Sequence, residues 1–335
     1  MTERDHCGIN EEDVRSAHRR DAWHTEAANP QCEPGGRRGG RHRELEAGFG
    51  ITLVAAPERE AALALVAPER EAASQAPRQI LQWSVTAEQQ QDRPDTWFDE
   101  HDDGFSVGWP GYADFRFRVG DDPALTARST SITEHQALLA SILSIIPLGL
   151  PLLGLEPLHG AAVGCQDGAL LLIGDSGAGK STLSREFVRR RATFLSDDVC
   201  AIGERSLLWP GPPLSCHHEA SDLTVGMYGD KHVARLPRAV CPQNVPVAAT
   251  VFLSPALGCD LEFTTLSAAE SFALLLRHAR TPSLFVAKRL RRQFAFVAAL
   301  STTPSFVAHY DTGCHRPEQV ADALARSAGL VELMG

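Results

Sequence analysis

The chain has 335 residues, 43% of them hydrophobic, and a formal net charge of -10. That length gives room for two ordinary domains, or for one domain with a long tail. The acidic balance excludes a general nucleic-acid binder, which needs a basic footprint to displace counterions. Collagen-like, coiled-coil and disulfide-scaffold compositions are absent as well.

Of the 32 basic residues only Lys180, Lys231 and Lys288 are lysine, so each lysine position stands out. The 8 cysteines are scattered, with no C-x-x-C pair and no Cys/His spacing that fits zinc. The Met1 end is too acidic and polar for an export signal. With these thiols it predicts a cytoplasmic, reducing setting.

Residues 1–46 carry eight arginines and ten acidic side chains around the Gly pairs 35–36 and 39–40. Little there can build a core. Ala56-Pro-Glu-Arg-Glu-Ala-Ala62 recurs as Ala67-Pro-Glu-Arg-Glu-Ala-Ala73. Two copies are too few for a solenoid, so they read as a duplication within a linker. Residues 1–77 are therefore expected to form a disordered N-terminal tail. Residues 78–135 change character. Ile80–Val85 and Asp114–Val119 alternate apolar and polar side chains, the second strictly, as half-buried strands do. A small β-rich subdomain is expected there.

Ala137–Leu155 then runs 19 residues without a charge. About 20 apolar residues can span a membrane. Pro147, Pro151, Gly149 and Gly154 interrupt this run, however, and no basic cluster flanks it. A buried helix followed by a turn is expected, and no membrane span.

The chemistry is concentrated between His159 and Ile202. Ala169–Ile173 is continuously apolar, as a strand covered on both faces should be. It leads into Gly174, Asp175, Ser176, Gly177, Ala178, Gly179, Lys180, Ser181 and Thr182, a full match to G-x-x-x-x-G-K-[ST]. In such a loop backbone N–H groups point at phosphates, the lysine reaches the terminal phosphates and the hydroxyl of Ser181 ligates Mg²⁺. The helix that follows adds its positive end. ATP and Mg²⁺ are thus the predicted cofactors. A second apolar strand, from Ala192, ends in Asp197 and Asp198. One carboxylate can hold Mg²⁺ while the other accepts a proton from an attacking hydroxyl, although a simple turn also favours Asp. Leu158–Val163 is a further strand, and it carries His159.

The order strand with His-Gly, strand, G-x-S-G-x-G-K-S loop, helix, strand, Asp-Asp-Val resembles the catalytic domain of bacterial HPr kinase/phosphorylase. It is also similar to the looser group of HPr-kinase-related serine kinases, including those encoded beside lasso-peptide genes. The likeness is tight only over 158–202, within a domain placed at 136–330. It implies an α/β fold, a P-loop kinase core of HPr-kinase type with a mixed sheet and flanking helices. It further implies that His159 and Asp197 act around the attacking serine hydroxyl with Lys180 on the phosphates. Ser181 and Asp198 are left for Mg²⁺. The acceptor would be a serine of a protein or peptide, such as a biosynthetic precursor peptide, and homo-oligomers are implied too. One departure is Trp209-Pro-Gly-Pro-Pro-Leu-Ser-Cys-His-His218, which stands where the bifunctional enzyme has its Arg-Gly signature. It points away from phosphorolysis and from HPr as acceptor.

Past this region, Ser-x-x-Glu spacing at Ser267 opens a helix. A basic helix over 285–300, a strand over 306–310 and a last helix from Pro317 follow. Lys231 and Arg235 are weak candidates for phosphate or acceptor contacts. A P-loop ATPase and a nucleotide-sensing module without phosphotransfer are the alternatives to a kinase. The first lacks a Leu-Ser-Gly-Gly-Gln signature, and the second would not need both aspartates.

Overall fold

Residues 43–49, 51–55, 79–91, 94–165, 168–218, 220–236, 244–279 and 286–327 are described by a computed structural model of the chain. The stretches 1–42 and 56–78, with the duplicated Ala-Pro-Glu-Arg segment, lie outside the described residues.

Short alternating runs build the first sheet from β1 (Arg43–Gly48), β2 (Ile51–Ala55), β3 (Gln79–Thr86), β4 (Trp97–His101), β5 (Gly104–Trp109), β6 (Ala113–Arg118) and β7 (Ala124–Arg128). Its spatial order is β1-β2-β3-β7-β6-β5-β4. In β6 the alternation is explicit. Phe115 and Phe117 are buried, while Arg116 between them pairs with Asp103 at the surface.

The first two strands correct the expected tail. Residues 43–48 and 51–55 belong to the sheet, with Leu45, Ala47, Ile51 and Leu53 in its core. Their alternation covers only a few residues and is swamped by the charged composition before it.

Thr133 and Gln136 form a reciprocal cap that opens α1 (Glu134–Leu153). Its path is irregular, with a π turn over Ser141–Ile145 and a 3-10 turn over Leu150–Leu153. Pro147 and Pro151 cannot donate to an α-helical ladder, and the looser and tighter turns absorb the loss. By length and composition α1 could cross a membrane, yet 67% of its apolar window is buried inside the protein. Leu138, Leu139, Ile142, Ile145 and Ile146 share one core with the sheet. The expected buried helix is what the structure contains.

The second unit holds β8 (Glu156–Cys165), β9 (Gly168–Ile173), α2 (Lys180–Arg189), β10 (Thr193–Ser196), β11 (Val199–Ile202) and β12 (Leu207–Trp209). Next come β13 (Leu214–His217), β14 (Thr224–Tyr228), β15 (Lys231–Arg235), β16 (Val245–Pro255) and β17 (Glu262–Thr265). The chain continues through α3 (Ala268–His278), α4 (Val286–Leu300), β18 (Ser305–Tyr310) and α5 (Pro317–Ser327). β9, β16 and β18 run parallel. β8 is antiparallel to β9 and, on its other edge, to β10 and β11. β12 bridges β11 to the start of β16, so five strands close on themselves at that end.

Every residue of β9 is buried, because helices cover both faces. α2 and α5 pack Leu183, Phe187, Val320 and Leu324 on one side. α3 and α4 bring Leu275, Val297 and Leu300 to the other. The architecture is mixed α/β. β13, β15 and β14 form a separate antiparallel three-stranded sheet.

The two units share a core in which Val199, Ala201, Leu214 and Val233 pack with the first sheet and α1, and they also meet at the β1–β2 turn. Phe49 donates its N–H to the Pro210 carbonyl at 2.6 Å. Gly48 has φ +83°, and a Cβ there would lie 2.3 Å from the Pro212 nitrogen. Gly48→Ala adds left-handed strain and a backbone clash at once. It should cost about 2 kcal/mol or more, read as a lower urea midpoint with an unchanged slope.

Candidate functional site

The loop 174–179 leaves the carboxyl end of β9 and delivers the chain into α2. Gly179, with φ +87°, is the residue before the helix and carries no side chain into the turn. Lys180 is 7% exposed, and its ammonium donates to the carbonyls of Gly174 at 2.7 Å and Asp175 at 2.8 Å. The cation thus lies across the loop, with Ser181 beginning the helix behind it. Tyr310, from the end of β18, donates its hydroxyl hydrogen to the Ala178 carbonyl and ties the loop to the sheet. Asp175, Ser176 and Gly177 are exposed at the loop's tip, as is Thr182 on α2.

β10 and β11 are one strand path along β8, interrupted at the two aspartates. Register slips by a residue between Phe194 and Ser196. Val199 N–H then reaches back to the Asp197 carbonyl at 2.9 Å, closing a three-residue turn on Asp198. Asp198 has φ +68°, uncommon for a residue with a side chain. The sequence pattern suggested a strand ending at the pair. Instead the strand turns there and resumes, re-aiming the two carboxylates.

Asp197 faces the loop. Its Oδ1 accepts from the Ser181 hydroxyl at 2.8 Å and from the Asp198 N–H at 3.1 Å, while Oδ2 accepts from the Ser215 hydroxyl. Burial pushes the Asp197 pKa above its ordinary 3.8, and the hydrogen bonds from Ser215 and Ser181 pull it partly back. Asp198 faces His159. Imidazole Nδ1 stands 3.1 Å from the Asp198 carbonyl oxygen and 3.3 Å from Oδ1. A neutral ring that donates through Nδ1 carries its lone pair on Nε2. His159 is the fourth residue of β8 and pairs across to Val199, so its strand position is fixed by the same path.

The fold thus joins Lys180, Ser181 and Asp197 in one group, and His159 and Asp198 in a second beside it. Ser215 and Tyr310 escaped sequence reasoning. Both come from distant strands and carry no motif. Lys231 and Arg235 lie on β15, outside these contacts. Charge from Lys231 still reaches Cys216, whose thiol is pushed up to about 12 mainly by burial and then by the two aspartates.

Among the described residues no cluster of three or more His, Cys, Asp or Glu side chains could hold a metal alone. The oxygen set of Asp197 and Ser181 does fit a hard cation that takes its remaining ligands from phosphate and water. Two hydroxyls pointed at one desolvated carboxylate mark where such a cation would relieve charge.

No family model matches the chain, and no curated protein matches it. Among solved structures, the HPr(Ser) kinase/phosphatase from Coxiella burnetii is similar, at 15% identity. That likeness covers 53% of this chain and 92% of the other, with a TM-score of 0.29. At that TM-score it supports nothing about the chemistry here.

A raised carboxyl pKa means that the folded state keeps a proton the unfolded chain has already lost. The stability this gives Asp197 is complete below its ordinary 3.8 and is lost as pH rises through the raised value. Asp197→Asn should therefore unfold at a higher temperature than the unmutated protein at pH 7, both unliganded. The gap should close towards pH 4, as thermal scans across that range would record.

Proposed function

We propose that the chain is an ATP-dependent serine kinase, transferring the γ-phosphoryl group of ATP to a serine hydroxyl of a protein or peptide. The observation that carries this reading is the division of labour between the adjacent aspartates. One touches the loop serine and the other touches a histidine. A site that only sensed nucleotide would need the first contact and not the second.

The contacts favour exchanging the roles first expected for the pair. Asp197, with Ser181, would hold Mg²⁺, and Asp198 would orient His159. When bound, Mg²⁺ would neutralise charge on the phosphate oxygens. Lys180 swings from the loop carbonyls to the terminal phosphates, a short move for a flexible ammonium. The Asp198 main-chain carbonyl accepts from Nδ1–H, with the Asp198 carboxylate beside it to stabilise the imidazolium, so Nε2 takes the proton as the acceptor's hydroxyl oxygen bonds to phosphorus. The bond from phosphorus to the β-phosphate oxygen breaks, and ADP leaves with that electron pair. Positioning and electrostatics supply most of the rate in such transfers.

Incubation with γ-labelled ATP, Mg²⁺ and candidate peptides should place label on serine. Lys180→Ala should abolish ATP binding. His159→Ala and Asp198→Asn should keep ATP binding and lose about 10²-fold or more of the transfer rate. Asp197→Asn should raise the Mg²⁺ concentration needed for half-maximal rate. Release of free phosphate alone, or full transfer by the His159 and Asp198 variants, would sink the assignment.

A further inference from the structure

The cysteines are scattered in sequence, yet the fold brings two of them to one place outside the site. Strand β18 lies between β16, parallel to it, and β17, antiparallel to it. The connection over residues 256–261 therefore crosses the carboxyl end of β18, where the departing chain must pass it. Cys259 is on the crossing connection. Cys314 is on the departing turn, between β18 and α5.

One carboxylate fastens the two segments. Asp311 Oδ2 accepts the Gly258 N–H at 2.6 Å, and its Oδ1 accepts the Gly313 N–H at 2.8 Å. Each of these glycines is followed directly by a cysteine, so two Gly-Cys pairs start from opposite oxygens of the same side chain. The Asp311 carbonyl also accepts the Cys314 N–H at 3.2 Å, and the Cys314 thiol donates to the Asp311 carboxylate. A charge on Cys259 is felt at Cys314. Cys314 is exposed and Cys259 is half-buried, its thiol donating to the Ala256 carbonyl at 3.1 Å. Cys200 and Cys216 stand instead by the aspartates, where burial pushes both thiols up.

We infer that Cys259 and Cys314 form a reversible disulfide by exchange with a small-molecule disulfide of the glutathione class. The Cys314 thiolate attacks one sulfur of glutathione disulfide, that S–S bond breaks, and one glutathione leaves with the electron pair. The Cys259 thiolate then attacks the Cys314 sulfur and releases the second glutathione. Two protein thiols are oxidised, one glutathione disulfide is reduced to two thiols, and the protons lost by the cysteines end on them. Asp311, through its hydrogen bond and then its charge, holds the Cys314 pKa above the ordinary 9.0. The thiol is therefore protonated at pH 7, and exchange is slow. Such a pair answers a sustained excess of disulfide and ignores a brief one. Its place gives it a consequence, because Tyr310, next to Asp311, holds the Ala178 carbonyl of the loop 174–179. Closing the bond fixes the strand end from which that contact comes. None of this depends on the kinase reading.

The test treats the full chain with excess glutathione disulfide, quenches it in acid, digests it without reductant and maps the peptides by mass spectrometry. The peptides holding Cys259 and Cys314 should be joined, and dithiothreitol should separate them. Cys259→Ser removes the resolving thiol, so glutathione should remain on Cys314 at a level about tenfold or more above that in the unmutated chain. In guanidinium, where Asp311 no longer holds the two segments, links should spread over the 8 cysteines. Equal glutathione on Cys314 with and without Cys259 overturns the inference. So does a native link from Cys314 to another cysteine, an equal preference for the 259–314 link in guanidinium, or no reaction at either thiol.

Discussion

Two carboxylates adjacent on a straight strand point to opposite faces, so bringing both to one end of the sheet takes a turn of the backbone between them. In this chain that turn is the left-handed Asp198, closed by the Val199 N–H on the Asp197 carbonyl. Residues with side chains occupy such a backbone at a cost of order 1–3 kcal/mol. The cost is met because both sides of the interruption are locked, β10 and β11 each pairing with β8. Ser196 adds a side-chain bond across it, from its hydroxyl to the Val199 carbonyl. Straightening the strand would restore ordinary alternation and send Asp197 and Asp198 to opposite faces. The turn instead aims one at the loop serine and the other at His159.

The loop was legible because its signal is local. Glycine, lysine and serine at fixed spacing after a wholly apolar run specify the turn between strand and helix, and the run is as buried as its composition required. Helix α3 was legible for the same reason, its Ser267–Glu270 cap being a four-residue pattern. Ser215 was not, because it meets Asp197 from 18 residues away through a strand of another sheet. Tyr310 reaches Ala178 across 132 residues. Such contacts are set by topology, and topology is not written in any short window. Strands β1 and β2 failed differently. Their alternation is real, but a composition average over a charged stretch hides runs of five or six residues.

Lysine is scarce in this chain, and arginine would serve wherever a solvated positive charge is enough. At residue 180 the cation is nearly buried and rests on two adjacent carbonyls of its own loop. A compact ammonium with rotatable donors fits there, whereas a planar guanidinium needs a fork-shaped partner. The same geometry holds the loop closed. Lys180 satisfies carbonyls that the tight turn leaves pointing inward, while Tyr310 satisfies the one at Ala178.

The N-terminal sheet reaches the aspartates through a shared core that includes Val199 and Ala201, and through one short segment. Residues 210–212 lie between the β1–β2 turn and β10, with Phe49 bonded to Pro210 and Gly211 donating to Leu195 at 2.8 Å. A Cβ on Gly211 would lie 2.3 Å from the Ser196 hydroxyl, which would have to turn away to admit it. Three residues further on, Ser215 donates to Asp197. The hydroxyl that holds Asp197 is thus positioned by a segment wedged between the two units.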